Sequence, residues 1–146
     1  MNINKHNVSV QEEALELAKK DLISFGKLFL PDDFLRSETP PFHYEVADKI
    51  NDLENKQVAI ILPRGHGKTV LTKARIIHDF CFATKEDPLF YGWVSATQKL
   101  SAGNMDYVKY HLEFNDKILY YFGTQKGRIL LRRTTGRTTR KNKDFF

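Results

Sequence analysis

Apolar residues recur at helical spacing in several segments of the chain, which predicts amphipathic helices there. The first predicted helix begins with a capping box, in which Ser9 is followed three residues later by Glu12, and it ends near Phe25. Residues 1–8 are expected to be a disordered lead-in, and the proline-containing stretch 31–41 is expected to be a loop. The predicted helices cover residues 9–25, 42–53, 69–83, 100–114 and 115–122.

Two apolar runs lack the helical period and are typical of strands that are buried on both faces. Residues 57–62 form a continuous run with β-branched side chains, and residues 89–95 form a second run that is rich in aromatic side chains. A third strand is expected at residues 128–132. Because predicted strands alternate with predicted helices, the sequence predicts an α/β fold in which a parallel sheet is covered by helices.

A short glycine-containing loop joins the first predicted strand to the helix that follows it. A triphosphate can be held by main-chain N–H groups that point inward at the N-terminus of a helix. Such a loop must turn sharply and approach its ligand closely, which two glycines without a Cβ permit. The sequence therefore predicts a nucleotide-binding loop, with ATP as the expected ligand. The loop consists of Pro63, Arg64, Gly65, His66, Gly67, Lys68 and Thr69.

Several side chains of this loop have expected chemical roles. Lys68 would place its ammonium group against the β- and γ-phosphates, and the hydroxyl of Thr69 would bind Mg²⁺. Arg64 would either stabilise charge on the transferring γ-phosphoryl group or face a carboxylate or solvent, and His66 would only fill a permissive position. The full pattern G-x-x-x-x-G-K-[ST] is not met, since Leu62 stands where the first glycine is expected. The alternative interpretation is an ordinary glycine-containing turn between a strand and a helix.

The loop resembles the deviant Walker A motif of phage terminase large subunits, in which the first glycine is commonly absent and an arginine lies within the loop. That resemblance accounts for Leu62 and Arg64 together. Residues 41–50 resemble the segment of this family that contacts adenine, with His43 at the place where a glutamine is frequent. Residues 91–97, which end in Ser-Ala-Thr, resemble the second strand of the family and the turn after it.

The resemblance implies the ATP-binding part of a motor that couples ATP hydrolysis to translocation of viral DNA into a procapsid. It implies that Lys68 and Arg64 are catalytic, and that residues 63–69 together with His43 bind ATP and Mg²⁺. The implied partners are double-stranded DNA, the portal protein and the small terminase subunit. The full-length motor would be a homo-oligomer, encoded by a phage or prophage and located in the host cytoplasm.

The resemblance covers roughly residues 20–127 and divides the chain into three parts. These are an N-terminal helical lead-in at residues 1–41, a partial P-loop ATPase domain at 42–127, and a basic tail at 128–146 that is disordered or read in a shifted frame. No apolar strand that ends in an Asp-Glu pair follows Thr69, and no nuclease domain is present. We therefore expect a truncated piece of the motor that binds nucleotide and hydrolyses it slowly or not at all.

The charge distribution leaves two other functions open. The net charge is +5, but residues 1–123 carry 15 basic and 17 acidic side chains, whereas residues 124–146 carry 8 basic side chains and one acidic one. Such a tail either attracts nucleic-acid phosphate or is a solvated or disordered end, so a non-catalytic DNA-binding remnant is one alternative. The other is a helicase-like P-loop ATPase that acts on nucleic acid. No apolar run approaches the roughly 18 residues of a membrane span, and Cys81 has no partner for an intrachain disulfide.

Overall fold

Helices make up all the regular secondary structure in the computed structural model, which describes residues 3–123 except 53, 55–56 and 85–88. The longest of them, α1, ends at Lys20, and its C-terminal neighbour α2 begins two residues later. The helices are α1 (Ile3–Lys20), α2 (Leu22–Phe29), α3 (Pro31–Phe34), α4 (Pro41–Asn51), α5 (Lys68–Phe82), α6 (Gln98–Phe114) and α7 (Asp116–Phe122).

The predicted parallel sheet is absent from the described residues, so the α/β P-loop assignment is wrong for this part of the chain. Residues 57–62 and 89–95 have no regular secondary structure, and within residues 3–123 as described neither run has a neighbouring strand to accept and donate main-chain hydrogen bonds. Tyr91 and Trp93 pack against the helical core, but Ile61 and Val94 are each 93% exposed. The predicted third strand at 128–132 lies outside the described residues.

Several predicted helix boundaries are also wrong. The first helix starts at Ile3, so residues 3–8 are helical and the Ser9 capping box lies inside the helix rather than at its start. The predicted helix to Phe25 is interrupted at Asp21, whose carboxylate accepts from the N–H of Ser24 at 2.7 Å and caps α2. The expected loop at 31–41 contains α3, which begins with proline at its first position. The four later helices lie within two residues of their predicted bounds.

An aromatic cluster centred on α2 forms the middle of the core. The rings of Phe25 and Phe29 are fully buried with centroids 4.9 Å apart. Phe29 packs against Phe122 of α7 at 5.4 Å, and Phe122 packs against Phe82 of α5 at 5.0 Å. Burying a phenylalanine side chain stabilises a fold by about 1.5–3 kcal/mol, so this cluster holds α5 firmly against α2.

A polar network on α5 attaches α4 and the 89–95 segment to the same helix. The carboxylate of Asp79 accepts from Arg75 Nε at 2.9 Å and from the Tyr91 hydroxyl, and Arg75 also donates to the side chain of Asn51. Burial raises the pKa of Asp79, but His78, the Tyr91 hydroxyl and the charge of Arg75 together outweigh burial and hold the pKa below its ordinary value. Asp79 is therefore an ionised anchor for the elements on either side of α5.

Gly26 allows α3 to pack closely on α2. A Cβ at this position would come within 2.5 Å of the Phe34 ring, so only hydrogen fits there. Gly103 of α6 is the opposite case, because it is exposed and nothing lies within 4 Å of the position of its Cβ. The two helical glycines therefore allow the same substitution to be made in a closed and an open environment.

We predict opposite effects on stability for Gly26→Ala and Gly103→Ala. Gly26→Ala forces Phe34 out of its place and should lower the free energy of unfolding by about 1–3 kcal/mol. Gly103→Ala removes an unfavourable helical glycine and should raise the free energy of unfolding by about 0.5–1 kcal/mol. Urea denaturation followed by circular dichroism measures both changes. Equal effects of the two substitutions would contradict the packing of Phe34 on Gly26.

Candidate phosphate-binding loop

The loop that precedes α5 turns through two glycines with left-handed backbone conformations. Gly65 has a φ of 84° and Gly67 a φ of 74°, which side chains with a Cβ rarely adopt. Gly67 is the N-cap of α5, and its carbonyl accepts from the N–H of Leu71 at 2.9 Å. The structure therefore places both predicted glycines at the positions where the chain reverses into the helix.

The N-terminus of α5 lacks the side-chain cap that three other helices have. Asp21, Thr97 and Asn115 cap α2, α6 and α7 through their side-chain oxygens, whereas Gly67 makes no such bond. The first N–H groups of a helix have no partner within the helix, and the helix dipole adds partial positive charge there. The start of this 15-residue helix therefore presents unsatisfied donors to an anion.

The lysine and arginine of the loop are not neutralised by a carboxylate in the described part of the chain. Lys68 folds back over the loop, and its Nζ atom donates to the carbonyl of Leu62 and, at 2.7 Å, to the carbonyl of Pro63. Arg64 is exposed, as is Thr69 in the first turn of α5. Lys68 therefore lies with its ammonium group on the carbonyls at the start of the loop, and the side chains of Arg64 and Thr69 are open to solvent.

His43 and His66 lie against the loop backbone. His43 Nε2 is 3.1 Å from the carbonyl oxygen of His66, and His66 Nδ1 is 3.1 Å from the carbonyl oxygen of Arg64. A Cβ on Gly67 would lie only 2.8 Å from His43 Nε2. The ring of Phe42, beside His43 in α4, also lies 5.8 Å from the ring of His66. The structure therefore brings His43 to the loop, 23 residues away in sequence.

A cleft of about 400 Å³ lies away from the loop, where α2 and α3 meet α6 and α7. Its central polar groups already satisfy one another: the Tyr107 hydroxyl donates to Asp33, and the Asn115 amide lies 3.1 Å from His111 Nδ1. Burial lowers the pKa of His111 although the charge of Asp33 opposes this. Such paired groups are typical of a structural role.

The network of Arg75, Asp79 and Tyr91, which supports α5, was not predicted from the sequence. The i,i+4 spacing of Arg75 and Asp79 was the available signal, since such pairs face each other on a helix. Their link to Tyr91 depends on the path of the chain after α5, which no local pattern contains.

Comparisons with family models, with curated proteins and with solved structures returned no match to this chain. Among the described residues, no group of three or more His, Cys, Asp or Glu side chains is arranged to hold a metal ion. The helices that the structure describes also include none that is both long and apolar enough to cross a membrane. A function for the loop must therefore be argued from its own residues and geometry.

We predict that alanine costs more stability at Gly67 than at Gly65. Both substitutions force a residue with a Cβ into a left-handed conformation, at a cost of about 1–2 kcal/mol. Gly67→Ala also displaces His43 and breaks its hydrogen bond to the loop, which adds about 1 kcal/mol.

Urea denaturation of both variants, alone and combined with His43→Ala, measures this difference. In the His43→Ala background the two glycine substitutions should cost the same. An equal cost in the wild-type background would show that His43 does not press on Gly67.

Proposed function

We propose that this chain binds Mg²⁺–ATP through residues 63–69, as the ATP-binding part of a DNA-packaging motor of the terminase large-subunit type. One observation carries the proposal: the N-terminus of α5, which has no side-chain cap, follows two left-handed glycines, and the ammonium group of Lys68 folds back onto the carbonyls of Leu62 and Pro63 at the start of the loop. Main-chain donors, a helix dipole and a lysine charge are the features that hold a triphosphate. The nucleotide-binding part of the proposal rests on these features and not on a sheet.

Three polar side chains of the loop have proposed roles in nucleotide binding. Lys68 leaves the carbonyls of Leu62 and Pro63 and moves its ammonium group to the β- and γ-phosphates, which are stronger acceptors because they are charged. The exposed hydroxyl of Thr69 would hold the Mg²⁺ that accompanies the nucleotide and neutralises phosphate charge. Arg64 is exposed beside the loop and supplies a guanidinium group to the γ-phosphate.

The assignment to a packaging motor rests on the sequence of the loop and of residues 91–97. An arginine within the loop and the absence of the first glycine favour a terminase over other nucleotide-binding loops. The implied partners remain double-stranded DNA, a portal protein and a small terminase subunit, in the host cytoplasm. The side chain of Thr97 accepts from the N–H of Leu100 at 3.3 Å, so part of the Ser-Ala-Thr stretch serves to start α6.

We predict that Lys68→Ala weakens ATP binding by about tenfold or more, because it removes a charge-assisted contact to the phosphates. Lys99→Ala is the matched control, since it removes the same charge from an exposed position on α6 and should leave affinity unchanged. Isothermal titration calorimetry of the full chain with ATP, with and without Mg²⁺, measures both.

Thr69→Ala refines the same experiment. It should weaken binding of Mg²⁺–ATP and leave binding of metal-free ATP unchanged, because the hydroxyl acts through the metal. Equal affinity of wild type and Lys68→Ala for Mg²⁺–ATP would contradict the proposed function.

A further inference from the structure

Two imidazole rings hold alternate carbonyl groups of the loop. His43 Nε2 lies 3.1 Å from the carbonyl oxygen of His66, and His66 Nδ1 lies 3.1 Å from the carbonyl oxygen of Arg64. A carbonyl oxygen can only accept, so each ring nitrogen must carry the proton and donate it. These contacts require His43 to be protonated on Nε2 and His66 on Nδ1.

The two carbonyls determine the directions of two main-chain N–H groups. A trans peptide unit is planar, so its N–H points away from its C=O. The carbonyl of Arg64 shares a peptide unit with the N–H of Gly65, and the carbonyl of His66 shares one with the N–H of Gly67. Each imidazole therefore turns a glycine N–H away from itself. Glycine alone would leave these peptide units free to rotate, because it permits many backbone conformations.

The position of His43 is fixed by the attachment of α4 to α2 and by the close approach of its ring to Gly67. It lies at the start of α4, and its neighbour Tyr44 accepts a hydrogen bond from Lys27 of α2 at 3.2 Å. On the other side it fills the space beside Gly67, where a Cβ would lie 2.8 Å from Nε2. The absence of a side chain at Gly67 thus serves the approach of His43 as well as the turn of the chain.

We propose that His43 and His66 are positioning residues, which orient the N–H groups of Gly65 and Gly67 towards the phosphate chain of the nucleotide. This role rests on the proposed function of the loop. It differs from contact between His43 and the base, because the donating nitrogen of His43 is already bonded to the main chain. These two residues therefore affect binding of the phosphate chain, whatever base the nucleotide carries.

Binding of inorganic tripolyphosphate and of ATP to the full chain tests this role. His43→Phe keeps an aromatic ring beside Phe42 but removes the donor, and it should weaken binding of both ligands by the same factor, about three- to tenfold. His43→Gln restores an N–H donor and should bind both with nearly wild-type affinity. Weakened binding of ATP alone would overturn the proposal and indicate contact with the base. Unchanged binding of both ligands by His43→Phe would also overturn it.

Lys68→Ala separates this proposal from the proposed function. If Lys68→Ala loses tripolyphosphate binding while His43→Phe matches the wild type, the loop binds phosphate and only the positioning role fails. If wild type and Lys68→Ala bind tripolyphosphate equally, or the wild type does not bind it, the proposed function fails and the positioning role fails with it.

The protonated nitrogen of each histidine gives a readout that does not depend on ligand or on variants. Nitrogen-15 NMR of the ligand-free wild type in mildly basic buffer should show His43 protonated on Nε2 and His66 on Nδ1. His66→Phe should in addition shift the amide resonance of Gly65 more than that of Gly103. The opposite tautomer at either histidine would overturn the proposal even if a variant failed to fold.

Discussion

The packing of α2 against α5 is the interaction on which the rest of this structure depends. The buried rings of Phe25 and Phe29 meet Phe82 of α5 and Phe122 of α7, and α2 also contacts α1, α3 and α4. This packing fixes the position of the N-terminus of α5 in space, and the loop leads directly into that N-terminus. It also fixes α4 over that loop, because the Lys27–Tyr44 contact attaches α4 to α2. The position of the candidate site is thus set by a hydrophobic cluster that contains none of its residues.

The loop is distinguished by main-chain N–H donors and a lysine charge that have no anionic partner in the described chain. Elsewhere in the described chain side-chain oxygens of Asp21, Thr97 and Asn115 cap α2, α6 and α7, whereas α3 and α4 begin with proline and have no side-chain cap. The partly buried carboxylate of Asp79 is surrounded by donors. Among the residues that the structure describes, the first N–H groups of α5 have no side-chain acceptor at Gly67, and the hydrogen-bond partners of Lys68 Nζ are the neutral carbonyls of Leu62 and Pro63. An anion would satisfy both deficits at once, which is the physical basis for the proposed function.

The sequence predicted the later helices and the conformation of the loop because both depend on local chemistry. Glycine at 65 and 67 indicated a sharp turn, and both have positive φ. The predicted strands at 57–62 and 89–95 were wrong because an apolar run indicates a tendency to be buried, whereas a strand also needs a neighbour that no local pattern supplies. The contact of His43 with the loop could not be predicted for the same reason. It joins His43 to His66, and only the packing of α4 brings these two residues together. The helix start predicted at Ser9 was wrong, because a capping box marks a possible helix start but does not prevent a helix from beginning earlier.

The central claim is that the main-chain amides of residues 65–69 bind a phosphate chain. A titration of the nitrogen-15-labelled chain with Mg²⁺ and tripolyphosphate, followed by amide resonances, tests it most directly. If the loop binds phosphate, the amide resonances of Gly65, Gly67, Lys68 and Thr69 move together and saturate, while those of Gly103 and Gly123 stay in place. Saturating shifts at other residues with none in the loop, or no shifts at all, would contradict it.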